Sequence, residues 1–134
     1  MLKYSFEKEH ENVYFSKEID LYSEYKDQDI SFTIENTQGN KHKIIFSLKN
    51  EQIGYCQLEI LQNNISYLFI IEIFKNFRRQ GFGERCMKIL LNILEERKIK
   101  KIDLDTIDSN YIAKNLYKKI GFINKGITRS YNKK

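Results

Sequence analysis

The segment from Ile71 to Glu84 holds residue types suited to binding an anion. A run of apolar residues leads into Arg78 and Arg79, which are followed by Gly81 and Gly83 and then by a helical pattern. Glycine lets main chain approach a ligand closely, and the free N–H groups of a first helical turn favour phosphate. The two arginines add positive charge at the same place. These residues predict a phosphate or pyrophosphate site, and a tight turn that only permits close packing is the alternative.

Cysteine and histidine give no comparable signal. Cys56 and Cys86 have no CxxC partner, and His10 and His42 are the only histidines. This pattern predicts neither a Cys/His zinc site nor a disulfide framework. We expect both cysteines to be buried and reduced, which favours a cytoplasmic protein.

The segment from Arg78 to Gly83 is called the glycine loop below. Hydrophobic periodicity indicates the elements that position it. Alternating or continuous apolar runs joined by short polar turns predict an antiparallel meander. Spacing of three and four residues then predicts a helix, followed by a strand, a second helix capped within Asp108–Asn110 and ended by Gly121, and a last strand. The predicted strands are 30–36, 43–49, 52–61, 65–74, 99–106 and 122–127, and the helices are 81–98 and 113–120.

This order predicts an α/β (α+β) fold in which helices flank a mixed, mostly antiparallel sheet. The 134 residues fit a single domain over 1–134. Residues 1–29 are the least regular part. A strand is expected at 2–8, and 13–25 fits a helix or a strand, with a helix favoured.

Charge and hydropathy narrow the function classes. The chain carries 23 Lys and Arg against 18 Asp and Glu, a net charge of +5. This suits an anionic small ligand or nucleic acid, but a Lys-rich composition explains it equally well. No apolar run approaches the ~20 residues of a membrane helix, and the first residues lack the apolar stretch of a secretory signal. We therefore expect no membrane association.

Two motifs make the chain similar to the GNAT superfamily of N-acetyltransferases. The family marker Arg/Gln-x-x-Gly-x-Gly/Ala reads Arg78 to Gly83 here, between a predicted strand and helix. The second marker, Asn-x-x-Ala-x-x-Leu-Tyr-x-x-x-Gly-Phe, reads from Asn110 to Phe122 with every spacing kept. The resemblance covers roughly residues 43–128.

The resemblance implies acetyl-CoA as the donor substrate and a sheet whose fourth and fifth predicted strands splay apart to admit it. The pantetheine arm would pair with main chain of the fourth strand, and the pyrophosphate would sit on the amides of the glycine loop. The implied contacts are Ile71, Ile73, Arg78, Arg79, Gln80, Gly81, Phe82, Gly83, Glu84, Asn110 and Tyr117, and no metal is implied.

The resemblance also assigns acid and base roles. Tyr117 matches the tyrosine that protonates the leaving thiolate. Asp105 matches in register the glutamate of family members that acetylate protein N-termini, whereas Glu72 is a competing base and an ordered water a third route. Asp103 and Asp108 are expected to be surface or helix-capping residues.

The expected activity is transfer of acetyl from acetyl-CoA to a primary amine of a protein N-terminus, a lysine or a small molecule. Two alternatives stay open: a toxin-like enzyme acting on aminoacyl-tRNA, although the sequence argues against nucleic acid, and a non-catalytic acyl-CoA-binding module. The family's C-terminal hairpin is expected to be truncated. Either the seventh strand is missing, or the N-terminal segment or a second subunit, as in a homodimer, covers that edge.

Overall fold

The computed structural model describes residues 10–19 and 25–130. In these ranges the chain forms seven strands and two α-helices. Their order is β1 (His10–Glu18), β2 (Ile30–Gln38), β3 (Lys41–Leu48), β4 (Glu51–Leu61), β5 (Ile65–Ile73), α1 (Phe82–Glu96), β6 (Lys101–Ile107), α2 (Tyr111–Ile120) and β7 (Ile123–Ser130). Short 3₁₀ turns at Gln62–Asn64 and Lys75–Phe77 flank β5.

The strands form one mixed sheet in the order β2-β3-β4-β5-β6-β1-β7. Strands β2 to β5 make the predicted antiparallel meander. Its β3–β4 hairpin turns through Lys49 and Asn50, both with positive φ, as a two-residue turn of this kind requires. Strands β5 and β6 run parallel because α1 connects them. The predicted mixed, mostly antiparallel α/β fold is confirmed.

The N-terminal segment departs from the sequence prediction. The helix favoured from residue 13 is wrong, because residues 10–18 form β1, an interior strand between β6 and β7. Val13 and Phe15 are fully buried while Tyr14 is half-buried, which is the period of a strand. The sequence left open whether the N-terminal segment or a second subunit covers the sheet edge beside β6. In the structure β1, from the N-terminal segment, lies there. The strand predicted at 2–8 lies outside the described residues.

Helix α1 lies over one face of the sheet, which we call the helix face. Its apolar stripe is buried there, and the buried residues are Phe82, Cys86, Met87, Ile89, Leu90, Ile93 and Leu94. The predicted helix 81–98 is thus found slightly shorter. Both cysteines are free and buried, as predicted. Burial raises the pKa of each thiol to about 12.

A buried ion pair ties the segment before β2 to the first turns of α1. Asp27, whose side chain is 2% exposed, accepts two hydrogen bonds of 2.8 Å from Arg85. It also accepts from the Tyr25 hydroxyl at 2.7 Å and from the main-chain N–H groups of Asp29 and Ile30. The Arg85 guanidinium holds the pKa of Asp27 well below its usual range. This contact positions the helix that follows the glycine loop.

Candidate active site

Strands β5 and β6 separate part-way along their length. Their parallel ladder runs from Ile65 opposite Lys101 to Leu68 opposite Leu104, although the strands continue to Ile73 and Ile107. Beyond Leu68, the β5 main chain that faces β6 has no strand partner within the described ranges. The expected splay is therefore present. It lies between β5 and β6, which correspond to the fourth and fifth predicted strands because β1 precedes them in the structure.

A β-bulge in β5 lies at the start of the splay. Leu68 pairs with Leu58 and Ile70 pairs with Gln57, so Phe69 has no partner on β4. The extra residue re-aims the strand. As a result Leu68 and, three residues on, Ile71 both face the helices.

Strands β4 and β5 approach closely beyond the bulge. A Cβ added at Gly54 would overlap the carbonyl oxygen of Glu72 and lie 3.1 Å from Ile73 Cα. Only glycine allows this approach of the two main chains. Gly54 thereby sets the position of the β5 segment that carries the predicted pantetheine contacts.

A cleft of about 370 Å³ opens at the splay, between β5, the glycine loop and α2. It brings together most of the residues that sequence analysis assigned to the donor and to catalysis. The lining residues are Ile71, Glu72, Ile73, Arg78, Gly83, Asn110, Ile112, Ala113, Leu116 and Tyr117. Residues 79–82, Glu84 and Asp105 are not among them.

The glycine loop takes left-handed backbone to enter α1. Arg79 has a φ of 64° and Gly81, which caps the helix, has a φ of 81°. The N–H groups of Phe82, Gly83 and Glu84 begin α1 and have no acceptor within the helix, because the ladder starts with Arg85 N–H donating to the Gly81 carbonyl. These three amides and the helix dipole form an anion-binding position.

Side chains around the loop divide into exposed and packed groups. Arg79 and Gln80 are exposed, whereas Phe82 is buried against the ring of Phe77. Hydrogen bonds from Lys119 and Lys88 lower the pKa of the Glu84 carboxyl. Since its ring is buried, Phe82 offers a ligand only its main chain.

Gly83 and Asn110 lie where α2 borders the cleft. A Cβ at Gly83 would make ordinary contacts with Leu116 at 3.5 Å and Ile73 at 3.9 Å. The Asn110 side chain caps α2 by accepting from the N–H of Ala113 at 3.1 Å. Asn110 therefore reaches the cleft as the N-cap of the helix that carries Tyr117.

Tyr117 is the buried phenol of the cleft. Its ring packs between Phe15 of β1 and Phe122, with centroids 5.7 and 5.6 Å away. Only 8% of the residue is exposed, and burial raises the pKa of its hydroxyl. Among the described residues we find no hydrogen bond to that hydroxyl. Since burial raises its pKa, Tyr117 carries a proton at neutral pH.

Asp105 lies on the other side of the sheet from Tyr117. Strand register places Leu104 opposite Phe15 and Asp105 opposite Tyr14. Since neighbouring residues of a strand face opposite sides, Leu104 and Phe15 share the helix face with Tyr117. Asp105 faces the opposite side, which we call the open face, and it is the first β6 residue beyond the ladder with β5.

Glu72 also faces away from the helices, but its carboxylate is engaged. It accepts from the Tyr55 hydroxyl at 3.4 Å and pairs with Arg78 at 3.4 Å. Arg78 in turn donates to the carbonyl of Ile73 at 2.7 Å. The point where β5 and β6 part, beyond Leu68 and Leu104, is called the vertex of the splay below. Glu72 lies closer to the glycine loop than to this vertex, and its carboxylate forms an ion pair with Arg78.

Asp103 was assigned otherwise from sequence, Asp108 is a partly exposed residue but not the helix cap, and a third polar residue, Tyr67, was assigned no role. Asp103 is not a surface or capping residue: it is buried in β6 and accepts from Ser16 at 2.6 Å. Asp108 is paired with Lys114 at 2.8 Å, and the cap of α2 is Asn110. Tyr67, whose hydroxyl donates to Asp105 at 3.0 Å, was assigned no role. No sequence signal indicated this role, because it depends on the register between β5 and β6.

The described residues hold no group of three or more His, Cys, Asp or Glu side chains placed to bind a metal ion. Nor is any helix in this part of the chain long and apolar enough to span a bilayer.

Comparison with known proteins agrees with the two motifs. Residues 4–122 match the model of the Acetyltransferase (GNAT) family. The [ribosomal protein bS18]-alanine N-acetyltransferase of Haemophilus influenzae is 30% identical over 100 residues, covering 74% of this chain and 67% of that protein. The protein of the same name from Haemophilus ducreyi is 28% identical over 100 residues, covering 74% and 68%. A Bacillus subtilis relative is 27% identical over 90 residues, covering 67% of this chain and 59% of that protein, so the chain spans less than two thirds of its length.

Solved structures show the same fold. The ribosomal-protein-S18-alanine N-acetyltransferase from Escherichia coli superposes with a TM-score of 0.60 at 22% identity, covering 65% of this chain and 56% of that one. A GCN5-related N-acetyltransferase from Kribbella flavida gives a TM-score of 0.64 at 9% identity, covering 87% and 55%.

Proposed function

The chain belongs to the GNAT acetyltransferase family, and we propose that it transfers an acetyl group from acetyl-CoA directly to a primary amine. The observation that carries the proposal is the splay of β5 and β6, which opens between a protonated phenol on one face and a carboxylate on the other. The glycine loop supports it, because Gly83, which carries one of its three free amides, lines the same cleft.

The donor would lie with its pyrophosphate on the N–H groups of Phe82, Gly83 and Glu84. The main chain of Ile71 and Ile73 that has no strand partner on the β6 side would take up the pantetheine arm. Arg78 already occupies the Ile73 carbonyl, so we expect the arm to displace its side chain toward the pyrophosphate. Such main-chain contacts fix the donor whatever the acceptor.

The acetyl carbonyl would then lie at the vertex, between Tyr117 and Asp105. An amine arriving from the open face would lose its proton to Asp105, directly or through a water, and attack the thioester carbon. Main-chain N–H groups near the bulge would stabilise the oxygen as charge develops on it. The carbon–sulfur bond breaks, and the Tyr117 hydroxyl gives its proton to the departing sulfur.

Asp105 is favoured over Glu72 as the base for two reasons. It lies at the vertex, and the Glu72 carboxylate already pairs with Arg78 and Tyr55. As acceptor we propose the α-amine of a protein N-terminus, because the Haemophilus relatives are named as alanine N-acetyltransferases of a ribosomal protein.

Release of CoA thiol in the presence of short peptides beginning with alanine tests the proposal, with a lysine side-chain amine as comparison. We expect turnover with a peptide whose α-amine is free. We expect none when the α-amine of the same peptide is blocked. Tyr117→Phe should bind acetyl-CoA as the wild type does and lose on the order of 100-fold in kcat. Tight acetyl-CoA binding without turnover on any amine would instead identify a non-catalytic binding module.

A further inference from the structure

The Tyr67 hydroxyl bridges β5 and β6 where the two strands part. Tyr67 precedes Leu68, the last β5 residue paired with β6, and Asp105 follows Leu104, its partner. On the open face the Tyr67 hydroxyl donates to Asp105 Oδ2 across a distance of 3.0 Å. The bond therefore spans the vertex of the splay, where main-chain pairing has just ended.

This bond is suited to hold a carboxylate in place. Burial and the neighbouring Asp105 raise the pKa of Tyr67 to about 12, so the phenol remains a donor throughout the physiological range. Its ring is fixed by an edge contact with Phe69, at a centroid distance of 5.0 Å. Asp105 Oδ1 makes no hydrogen bond that we find among the described residues, and Asp105 itself is exposed.

The neighbouring carboxylate is engaged in a different way. Asp103 accepts from Ser16 at 2.6 Å and lies 3.9 Å from the ammonium of Lys101. It also faces Tyr14: burial, a hydrogen bond to Asp103 and its charge raise the pKa of Tyr14 to about 12. Of the two carboxylates on this part of β6, Asp105 is the one with an oxygen on the open face for which we find no hydrogen bond among the described residues.

We propose that Tyr67 is a positioning residue, which orients Asp105 so that its free oxygen receives the proton of the acceptor amine. The inference rests on the proposed acetyl transfer and adds a residue through which its base acts. Tyr67 itself gains and loses no proton: it keeps donating to Oδ2 while Oδ1 takes the amine proton. Because β5 and β6 no longer pair beyond Leu68 and Leu104, this side-chain bond extends the contact from paired β5 to Asp105 of unpaired β6.

Tyr67→Phe tests the proposal, with Tyr14→Phe as the matched control. Each change removes one phenol oxygen from the open face and keeps the ring, but the control removes a partner of Asp103. We expect Tyr67→Phe to lower kcat for an alanine-initiated peptide by about 10- to 100-fold, as displacement of a catalytic group does. The Kd of acetyl-CoA, the KM of the peptide and the Tm should stay near wild type. Tyr14→Phe should keep the wild-type kcat.

A double variant separates positioning from a structural effect. Asp105→Asn should lower kcat strongly, and Tyr67→Phe in that background should add less than about twofold, because residues acting as a unit are not additive. Equal kcat for Tyr67→Phe and wild type would overturn the proposal and leave the acetyl transfer standing, as would additive losses in the double variant. A folded wild type that acetylates no amine would overturn both.

Discussion

Asp27→Asn is the substitution for which the structure gives the clearest magnitude. Asp27 is buried, and it accepts bidentate hydrogen bonds from Arg85. Loss of one partner of a buried pair costs about 3–5 kcal/mol. Arg85 is 32% exposed and can recover some hydration, so we expect the free energy of unfolding to fall by about 2–3 kcal/mol.

Asp29→Asn is the matched control. Asp29 contacts the same guanidinium at 3.2 Å, but its side chain is 68% exposed. Exposed ion pairs contribute about 0–1 kcal/mol. Urea unfolding of the three proteins at pH 7 should therefore place Asp29→Asn close to wild type and Asp27→Asn well below it.

The pH dependence gives a second measure of the same contact. The pKa of Asp27 is lower in the folded state than the ~3.9 of an unfolded chain. Its contribution is therefore complete above about pH 4 and is lost as the pH falls through the folded value. The gap between wild type and Asp27→Asn should be constant from pH 5 to 8 and narrow below pH 4. Equal costs for the two variants at pH 7 would refute the reasoning.

Three further predictions concern the core and the strand beside the cleft. Gly54→Ala should destabilise the fold by about 1–3 kcal/mol and weaken acetyl-CoA binding, because the new Cβ forces β5 to move. Its control is Gly83→Ala, whose Cβ fits, and which should stay near wild type in thermal melts. Phe15→Ala should cost about 3–5 kcal/mol in urea unfolding, since the ring is fully buried. Native Cys56 and Cys86 should react with a thiol reagent only as fast as the protein unfolds, and rapid reaction at pH 8 would show that they are not buried.

Local patterns predicted the part of the fold that local interactions determine. The stripe through Cys86 and Leu90 predicted α1 to within about two residues at each end, because a helix on a sheet needs that spacing. The two motifs located the cleft for a similar reason. The spacing within each motif is set by one loop and the helix that follows it, and Gly83 of the first motif lies close to Leu116 of the second beside the cleft.

The failures concern contacts between distant parts of the chain. Nothing within residues 13–19 distinguishes a strand from a helix until β6 and β7 pair on both sides of it. Asp103 looked like a surface carboxylate for the same reason, since its partner Ser16 is 87 residues away in sequence. The bond from Tyr67 to Asp105 spans 38 residues and depends on strand register, which sequence spacing does not reveal.

A titration of the isotope-labelled protein with acetyl-CoA, followed by the main-chain amide signals, tests the central claim most directly. The account predicts saturable shifts at one site per chain, largest for Ile71, Ile73 and residues 82–84. Shifts confined to the larger cavity of about 830 Å³ around Ile19 and Ile99, or no shifts in a folded protein, would contradict it.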